Sequence, residues 1–435
     1  MLAALVGNAF GLFGAGVYLH EVTAANGWRT SLVSGAVTLF YIVSALLLIP
    51  VGIGINRFGP RPVVAFGGIA MAGGVAGVGQ AATPWQVYLA FLSMGVAWAC
   101  LSTTAVATTL APWFEKYQGR AMSIASLGAS AGGMVGAPVL LFGIGRIGFQ
   151  LTTAIASVFA LAVLLPLAGL VLRHRPRDMG LFPDGLPHGR TATEATEPHW
   201  TSVSALRTTA LRTVMATFGL GMMVQIGFLT HQVTLLAQSL SALSVSMIVS
   251  GTAIAALLGR LALARFADQL DVRMTASAVL ILAASVLGTM GLFLSPIVLA
   301  GGSLVFGLTV GNVTTLSPII VRQEFGAPAF GAVFGVASCV IQLVTALGPG
   351  YYGLLHDIFG SYRGALILAA ALHVVAAAII LFDRRNVVAI DDGNQDRRDN
   401  SARYLASSGT PTSSSAARKI APKIAPNRQN CAGVR

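Results

Sequence analysis

Long apolar runs, broken by short charged or glycine-containing turns, dominate the hydropathy pattern of this chain. Twelve of them lie at 2–20, 31–54, 62–82, 85–111, 121–144, 149–172, 213–237, 243–264, 274–294, 296–320, 328–354 and 364–382. Each approaches the ~20 residues that a bilayer-spanning helix needs. The pattern predicts an all-α membrane protein, because helices satisfy every backbone hydrogen bond inside hydrocarbon.

The interruptions carry a repeat. Asn56-Arg57-Phe58-Gly59-Pro60-Arg61 and Asp268-Gln269-Leu270-Asp271-Val272-Arg273 each separate two runs, and in both an Asn or Asp precedes an Arg by five residues. Their offset is 268 − 56 = 212 residues, close to half of 435. A charged turn recurring at half-length predicts two pseudo-symmetric six-helix bundles. Gly132-Gly133-Met134-Val135-Gly136-Ala137-Pro138 in the fifth run and Ala346-Leu347-Gly348-Pro349-Gly350 in the eleventh extend the correspondence. The loops before them, Trp113–Arg120 and Arg322–Gly326, also run parallel. The expected organisation is an N-terminal bundle over 1–172, a linker over 173–212, a C-terminal bundle over 213–382 and a disordered tail over 383–435.

Polar residues inside the runs recur at every third one. Runs 1, 4, 7 and 10 hold Asn8, then Thr103, Thr104, Thr108 and Thr109, then Gln225, His231 and Gln232, then Asn312, Thr314 and Thr315. Runs 3, 6, 9 and 12 are almost wholly apolar. A polar group facing lipid is costly, so the first set should line a central cavity and the second should face hydrocarbon.

Composition sharpens this picture. Only 10% of residues are charged and mean hydropathy is +0.77, whereas soluble domains carry roughly 25% charge. The net charge of +12 is an orientation signal. With both termini on one side, 24 of the 27 Lys and Arg fall there, leaving Arg29, Arg146 and Arg363 opposite. The positive-inside rule places both termini and the linker in the cytoplasm, and nucleic acid is not an expected partner. The first run lacks a basic lead and a clear cleavage site, so it reads as a membrane helix whose start lies upstream rather than as a signal peptide. Cys100, Cys339 and Cys431 show no metal-ligand spacing, and no G-x-x-x-x-G-K-[ST] occurs, so neither metal, cofactor nor ATP-driven pumping is expected. No nucleophile constellation points to an enzyme, and no attached signalling domain points to a sensor.

Over residues 1–385 the chain resembles the major facilitator superfamily, on the motif, the duplication and the number of runs. Gly52-x-x-x-Asn56-Arg57-x-Gly59-x-Arg61 is similar to the loop motif between that family's second and third helices, with Asn56 replacing the usual acid; Asp268 keeps it in the second copy. Within the superfamily, several stretches resemble the monocarboxylate porter and oxalate/formate antiporter group. They are Gly27-Trp28-Arg29, Trp113-Phe114-Glu115, Gly119-Arg120-Ala121-Met122, Arg177-Asp178-Met179-Gly180-Leu181-x-Pro183-Asp184-Gly185 and Gly348-Pro349-Gly350…His356-Asp357. The resemblance implies secondary transport of a small carboxylate by proton symport or anion exchange. Arg260 matches that group's intramembrane arginine. The membrane lysines of some members have no counterpart, and the acid one turn before the arginine is Ala256.

Arg260 is the leading substrate residue, because a charge inside a span costs at least ~2.5–3.5 kcal/mol and a guanidinium can hold a carboxylate through two hydrogen bonds. A gate role beside Asp268, or snorkelling to the membrane edge, are its competing readings. His231 and Gln225 are the substrate candidates of run 7, with Asn312, Thr104 and Asn8 completing the set. His231 and Glu21 are the proton-coupling candidates, against interhelical hydrogen bonding for His231. Asn56, Arg57, Arg61, Arg265, Asp268 and Arg273 form a candidate cytoplasmic gate, held asymmetrically through Asp268. The expected partners are the lipid bilayer, a small anionic solute and protons, with a monomer in the plasma (inner) membrane. Efflux of a neutral or drug-like solute is the alternative within the same fold.

Overall fold

The computed structural model describes residues 1–382 apart from 111, 115–117, 173–201 and 267–270. Among the described residues, twelve helices are long and apolar enough to cross a membrane. The first six are α1 (Leu2–Asn26), α2 (Thr30–Phe58), α3 (Pro60–Gly79), α4 (Pro84–Leu110), α5 (Leu127–Ile147) and α6 (Phe149–Val171). The second six are α7 (Thr209–Ala237), α8 (Ala242–Leu263), α9 (Val272–Leu292), α10 (Pro296–Gly326), α11 (Ala329–Phe359) and α12 (Tyr362–Phe382). No strand occurs among the described residues. The fold is all-α, two pseudo-symmetric six-helix bundles.

Local chemistry sets the boundaries. Pro84 and Pro296 open α4 and α10 at positions where a missing N–H costs nothing. Asp271 caps α9 by accepting from the Met274 N–H at 2.9 Å, and Thr208 caps α7 by accepting from Leu211 N–H at 3.2 Å. Residues 209–212, expected in the linker, are therefore the first turn of α7. Gly148 (φ 83°) and Gly360 (φ 65°) take positive-φ conformations in the turns before α6 and α12. They lie 360 − 148 = 212 residues apart, the offset of the charged turns; both need a positive φ, which glycine adopts without strain, although ψ differs (165° at Gly148, 8° at Gly360).

The polar half of the period-three pattern has a physical counterpart in burial, whereas the apolar runs 3, 6, 9 and 12 (50%, 28%, 44% and 39% buried) are no more open than runs 2, 5, 8 and 11 (44%, 39%, 33% and 29%). The buried share is 67% for α1, 59% for α4, 72% for α7 and 56% for α10, above every other span. These are the helices with the most polar side chains, so sequestering those groups from lipid sets which helices lie inside.

Three spans are less regular than the hydropathy implied. The run 85–111 is broken at Ser102, whose backbone is extended (ψ 163°) and whose Oγ donates to Ala99 O at 2.9 Å. The first helix extends to Asn26 rather than ending at residue 20, and opens a π-turn over Asn8–Leu12. In α11 the helix breaks after Thr345 and resumes at Leu347, beside Pro349.

The bundle has two ends. One carries the turns at Gly27, Gly148 and Gly360; the other carries the turn at Gly59 and the kink at Gly326 (φ 76°). At the Gly27 end the halves press together. Gly16 of α1 lies so close to α7 that a Cβ would sit 2.8 Å from Thr230 O.

Candidate functional site

Two places gather polar chemistry inside the bundle. The first is the crossing of α8 with α10. Gly259, Gly307 and Gly311 let these backbones touch: a Cβ on Gly259 would meet Leu308 O, and one on Gly307 would lie 2.6 Å from Thr252 O. Gly311 faces Ala256 O and the Arg260 Cβ, so it makes room for the arginine stem. The Arg260 guanidinium emerges from this contact half-buried, with Nη2 3.5 Å from Thr314 Oγ1. Thr314 Oγ1 donates to Gly311 O at 2.8 Å, leaving lone pairs toward the arginine. Arg260 Nε is buried with no hydrogen-bond partner among the described residues. A cationic fork with a donor unused by the described residues can take a further acceptor, such as a carboxylate.

Asn312 does not share that face. It is two residues from Thr314, which is about 200° around a helix at ~100° per residue. Its Nδ2 donates to Leu308 O at 3.1 Å, and its Oδ1 is buried without a partner. Asn312 and Arg260 therefore do not converge in this conformation.

The second place is around His231, which is 1% exposed in α7. Its Nε2 lies 3.0 Å from Pro349 O of α11 and 3.2 Å from Ser34 Oγ of α2; its Nδ1 lies 2.9 Å from Tyr362 Oη of α12. A carbonyl only accepts, so Nε2 carries the hydrogen. Ser34 Oγ donates to Thr30 O at 2.6 Å and thus accepts from the ring, and Tyr362 donates to Nδ1. Tyr352 stacks on the ring with centroids 5.8 Å apart. Both ring nitrogens of His231 are occupied by protein groups, and the residue joins helices from both halves, as the interhelical reading expects.

The remaining sequence candidates are dispersed. Asn8 donates to Ala4 O at 2.8 Å and packs on Gly132 of α5. Thr104 is exposed, its carbonyl accepting from Thr108 Oγ1 at 2.9 Å. Gln225 is buried in α7. Its neighbour Gln232 is the more connected residue, donating to Thr252 Oγ1 at 2.8 Å and so tying α7 to α8. Glu21 is half-buried near the end of α1.

Of the gate set, Asp268 falls outside the described residues. Asn56, Arg57, Arg61 and Arg265 are exposed, and Arg57 lies over the Phe58 ring at 5.3 Å. Arg273 instead forms a fork with Glu324 of α10, Nε–Oε1 2.7 Å and Nη2–Oε2 3.0 Å, and its Nη1 donates to Ile380 O of α12 at 3.0 Å. These partners all belong to the C-terminal half.

Sequence reasoning missed the contact of α2 with α11. Gly350 N–H donates to Thr38 Oγ1 at 2.9 Å, and a Cβ on Gly353 would lie 2.7 Å from Ser34 Cβ. Ser31 N–H donates to Asp357 Oδ2 at 2.9 Å. The signal was present: Ser31, Ser34 and Thr38 share the i, i+3, i+7 spacing of one helix face, and Gly350, Gly353 and Asp357 repeat it.

Among known proteins, a family model described as Major Facilitator Superfamily matches residues 1–236 and again 215–420. Monocarboxylate transporter 13 of Rattus norvegicus is 24% identical over 84% of this chain and 83% of its own length. The uncharacterized MFS-type transporter YcxA of Bacillus subtilis is 23% identical over 81% of this chain and 85% of its own. The Fujikurins efflux protein of Gibberella fujikuroi is 34% identical, but over 34% of this chain and only 31% of that protein's length. In fold, a bacterial homolog of the human lysosomal transporter Spinster, crystallised inward-facing and unoccupied, superposes with TM-score 0.68. It is 14% identical and covers 88% of this chain and 96% of its own. The nucleoside transporter NupG gives TM-score 0.67 at 15% identity, covering 87% and 97%.

Proposed function

The chain belongs to the Major Facilitator Superfamily, and from that premise we propose that it moves a small organic anion, a carboxylate, across the membrane by alternating access. Membership and the transporter relatives make it a membrane transporter rather than an enzyme. The observation that carries the anionic substrate is Arg260, a guanidinium inside the bundle whose Nε has no partner among the described residues and whose Nη2 has a long contact to Thr314. A half-buried cation with no counter-ion among the described residues favours a ligand that brings one. The relative named monocarboxylate transporter 13 supports the same class.

In this reading the two halves, 1–172 and 213–382, rock about the α8–α10 site, with the linker, tail and both termini in the cytoplasm. The Gly27 end then faces outward and is sealed, and solute enters or leaves at the Gly59 end. Protons or a counter-anion drive the cycle, the working unit is a monomer, and the membrane is the plasma (inner) membrane. Exposed Arg57, Arg61 and Arg265, with Asp268, supply the inner gate when that end closes.

Efflux of a neutral or drug-like solute is the second reading, favoured by the partial match to an efflux protein. Flux of labelled mono- and dicarboxylates into proteoliposomes, with and without a pH gradient or a trans anion, decides. Saturable carboxylate flux abolished by Arg260→Gln supports the anion reading. Flux of neutral solutes alone, indifferent to that substitution, sinks it.

A further inference from the structure

The first turn of α2 presents unpaired backbone N–H groups, as every helix start does. Its N-cap residue is Arg29, which offers no side-chain acceptor to them. The acceptor comes from the other half of the molecule: Asp357, in the last turn of α11, takes the Ser31 N–H at 2.9 Å. We propose that Asp357 is a conformational latch, a helix cap supplied in trans that exists only while the Gly27 end is shut.

The rest of the interface keeps this cap in register. Thr38 meets Gly350, Ser34 meets Gly353 and Ser31 meets Asp357, giving residue-number sums of 388, 387 and 388, as expected for two antiparallel helices paired turn by turn. Gly353 has no side chain, and a Cβ there would also lie 3.1 Å from Ser31 Cα. The glycines therefore let α11 lie against the first two turns of α2, which brings the carboxylate to the helix end. His356 Nδ1, 3.4 Å from Asp357 Oδ1, braces the second oxygen.

A carboxylate at a helix N-terminus is favoured twice, by the hydrogen bond and by the positive end of the helix dipole. When the halves part at this end, Asp357 and the α2 N-terminus both return to water. Their pairing therefore stabilises one conformer and not the other, which is the condition for biasing a two-state equilibrium. Asp357 acts on the resting population whatever the transported molecule is, so the latch requires alternating access but not the carboxylate reading.

The test is electron–electron distance measurement on the full chain in nanodiscs, without solute, with spin labels at Ala82 and Ser239. Both positions are exposed and sit in turns of opposite halves at the Gly27 end. Asp357→Ala should raise the ratio of long to short distances by about two- to tenfold, the lower part of what a lost N-cap corresponds to, because this carboxylate is solvent-exposed. Asp357→Asn, which keeps an acceptor and the side-chain shape, should move it less. Ser31→Pro removes the donor at a position where helices tolerate proline, and it should match Asp357→Ala, with no further change in the double variant. An unmoved distribution in Asp357→Ala and Asp357→Asn overturns the latch. A shift in Asp357→Ala that adds to that of Ser31→Pro also overturns it, since the carboxylate would then act through another group. Solute flux is a separate measurement, so failure here leaves the transport reading standing.

Discussion

Arg273, at the start of α9, grips both carboxylate oxygens of Glu324, at the end of α10, with its Nε and Nη2. The side chains are 11% and 27% exposed, so the arginine is largely covered while the carboxylate keeps some contact with solvent. Through Nη1 the same guanidinium reaches Thr213 Oγ1 of α7 at 3.3 Å and Ile380 O of α12 at 3.0 Å. Four helices of one half thus meet at one arginine.

Lysine cannot reproduce that fork, so Arg273→Lys should lower stability by about 1–3 kcal/mol, the worth of hydrogen bonds to charged groups. Thermal unfolding of the purified protein reads this directly. Glu324→Gln should cost a similar amount, and the double variant should cost clearly less than the sum. Full additivity would mean that the two residues act independently.

His231 yields a tautomer prediction. Pro349 O can only accept, so the ring nitrogen resonances should be those of the Nε2–H form. Tyr362→Phe removes the donor to Nδ1 and should destabilise the protein by about 1 kcal/mol. His231→Ala removes contacts to α2, α11 and α12 together and should also increase labelling of a cysteine introduced at Thr38. A protected Thr38→Cys in the His231→Ala background would show that the Gly27 end is sealed without the imidazole.

The architecture was legible because bilayer physics leaves so few choices: length, apolarity and the 212-residue repeat suffice for twelve helices in two bundles. Which helices lie inside followed from polar content, and α1, α4, α7 and α10 are indeed the most buried. The interruption at Ser102 was hidden, because hydropathy does not see a change of ψ within an apolar run. The site was harder. Arg260 stands out as a charge among apolar residues, but its neighbours Gly311 and Thr314 are small or weakly polar and become meaningful only once α8 and α10 cross. Arg273 was grouped with Asp268 because they are near in sequence. Its partner Glu324 lies 51 residues away, at the end of α10, in a segment whose parallel with Trp113–Arg120 was visible but whose distance from Arg273 was not.

Gly353→Ala tests the α2–α11 contact apart from Asp357. Its Cβ would lie 2.7 Å from Ser34 Cβ and 3.1 Å from Ser31 Cα, so the helices must separate. Overpacking of this kind costs about 1–3 kcal/mol. The expected outcome is a fall in thermal stability together with greater solvent access at the Gly27 end. Gly335→Ala, in the same helix with open space around its Cα, should change neither. Equal effects from the two substitutions would mean that helix propensity, and not the contact, is being measured.

The last prediction concerns affinity. If Arg260 binds the anion through charge-assisted hydrogen bonds worth about 1.5–3 kcal/mol, Arg260→Gln should weaken carboxylate binding by roughly 10- to 150-fold. Arg260→Lys keeps the charge but loses the fork, and should recover only part of that loss. Thr314→Val keeps volume and removes the hydroxyl that faces Nη2 at 3.5 Å. A bond that long is weak, so Thr314→Val should change affinity by no more than about fivefold, near the ~1 kcal/mol of an ordinary hydrogen bond. Titration of each variant with carboxylates, read as a thermal shift of the purified protein, supplies the series. The order Thr314→Val, Arg260→Lys, Arg260→Gln, from mildest to most severe, is what an arginine-centred anion site requires. If Arg260→Gln instead lowers transport while carboxylate affinity stays at the wild-type value, the guanidinium serves the conformational cycle rather than the ligand.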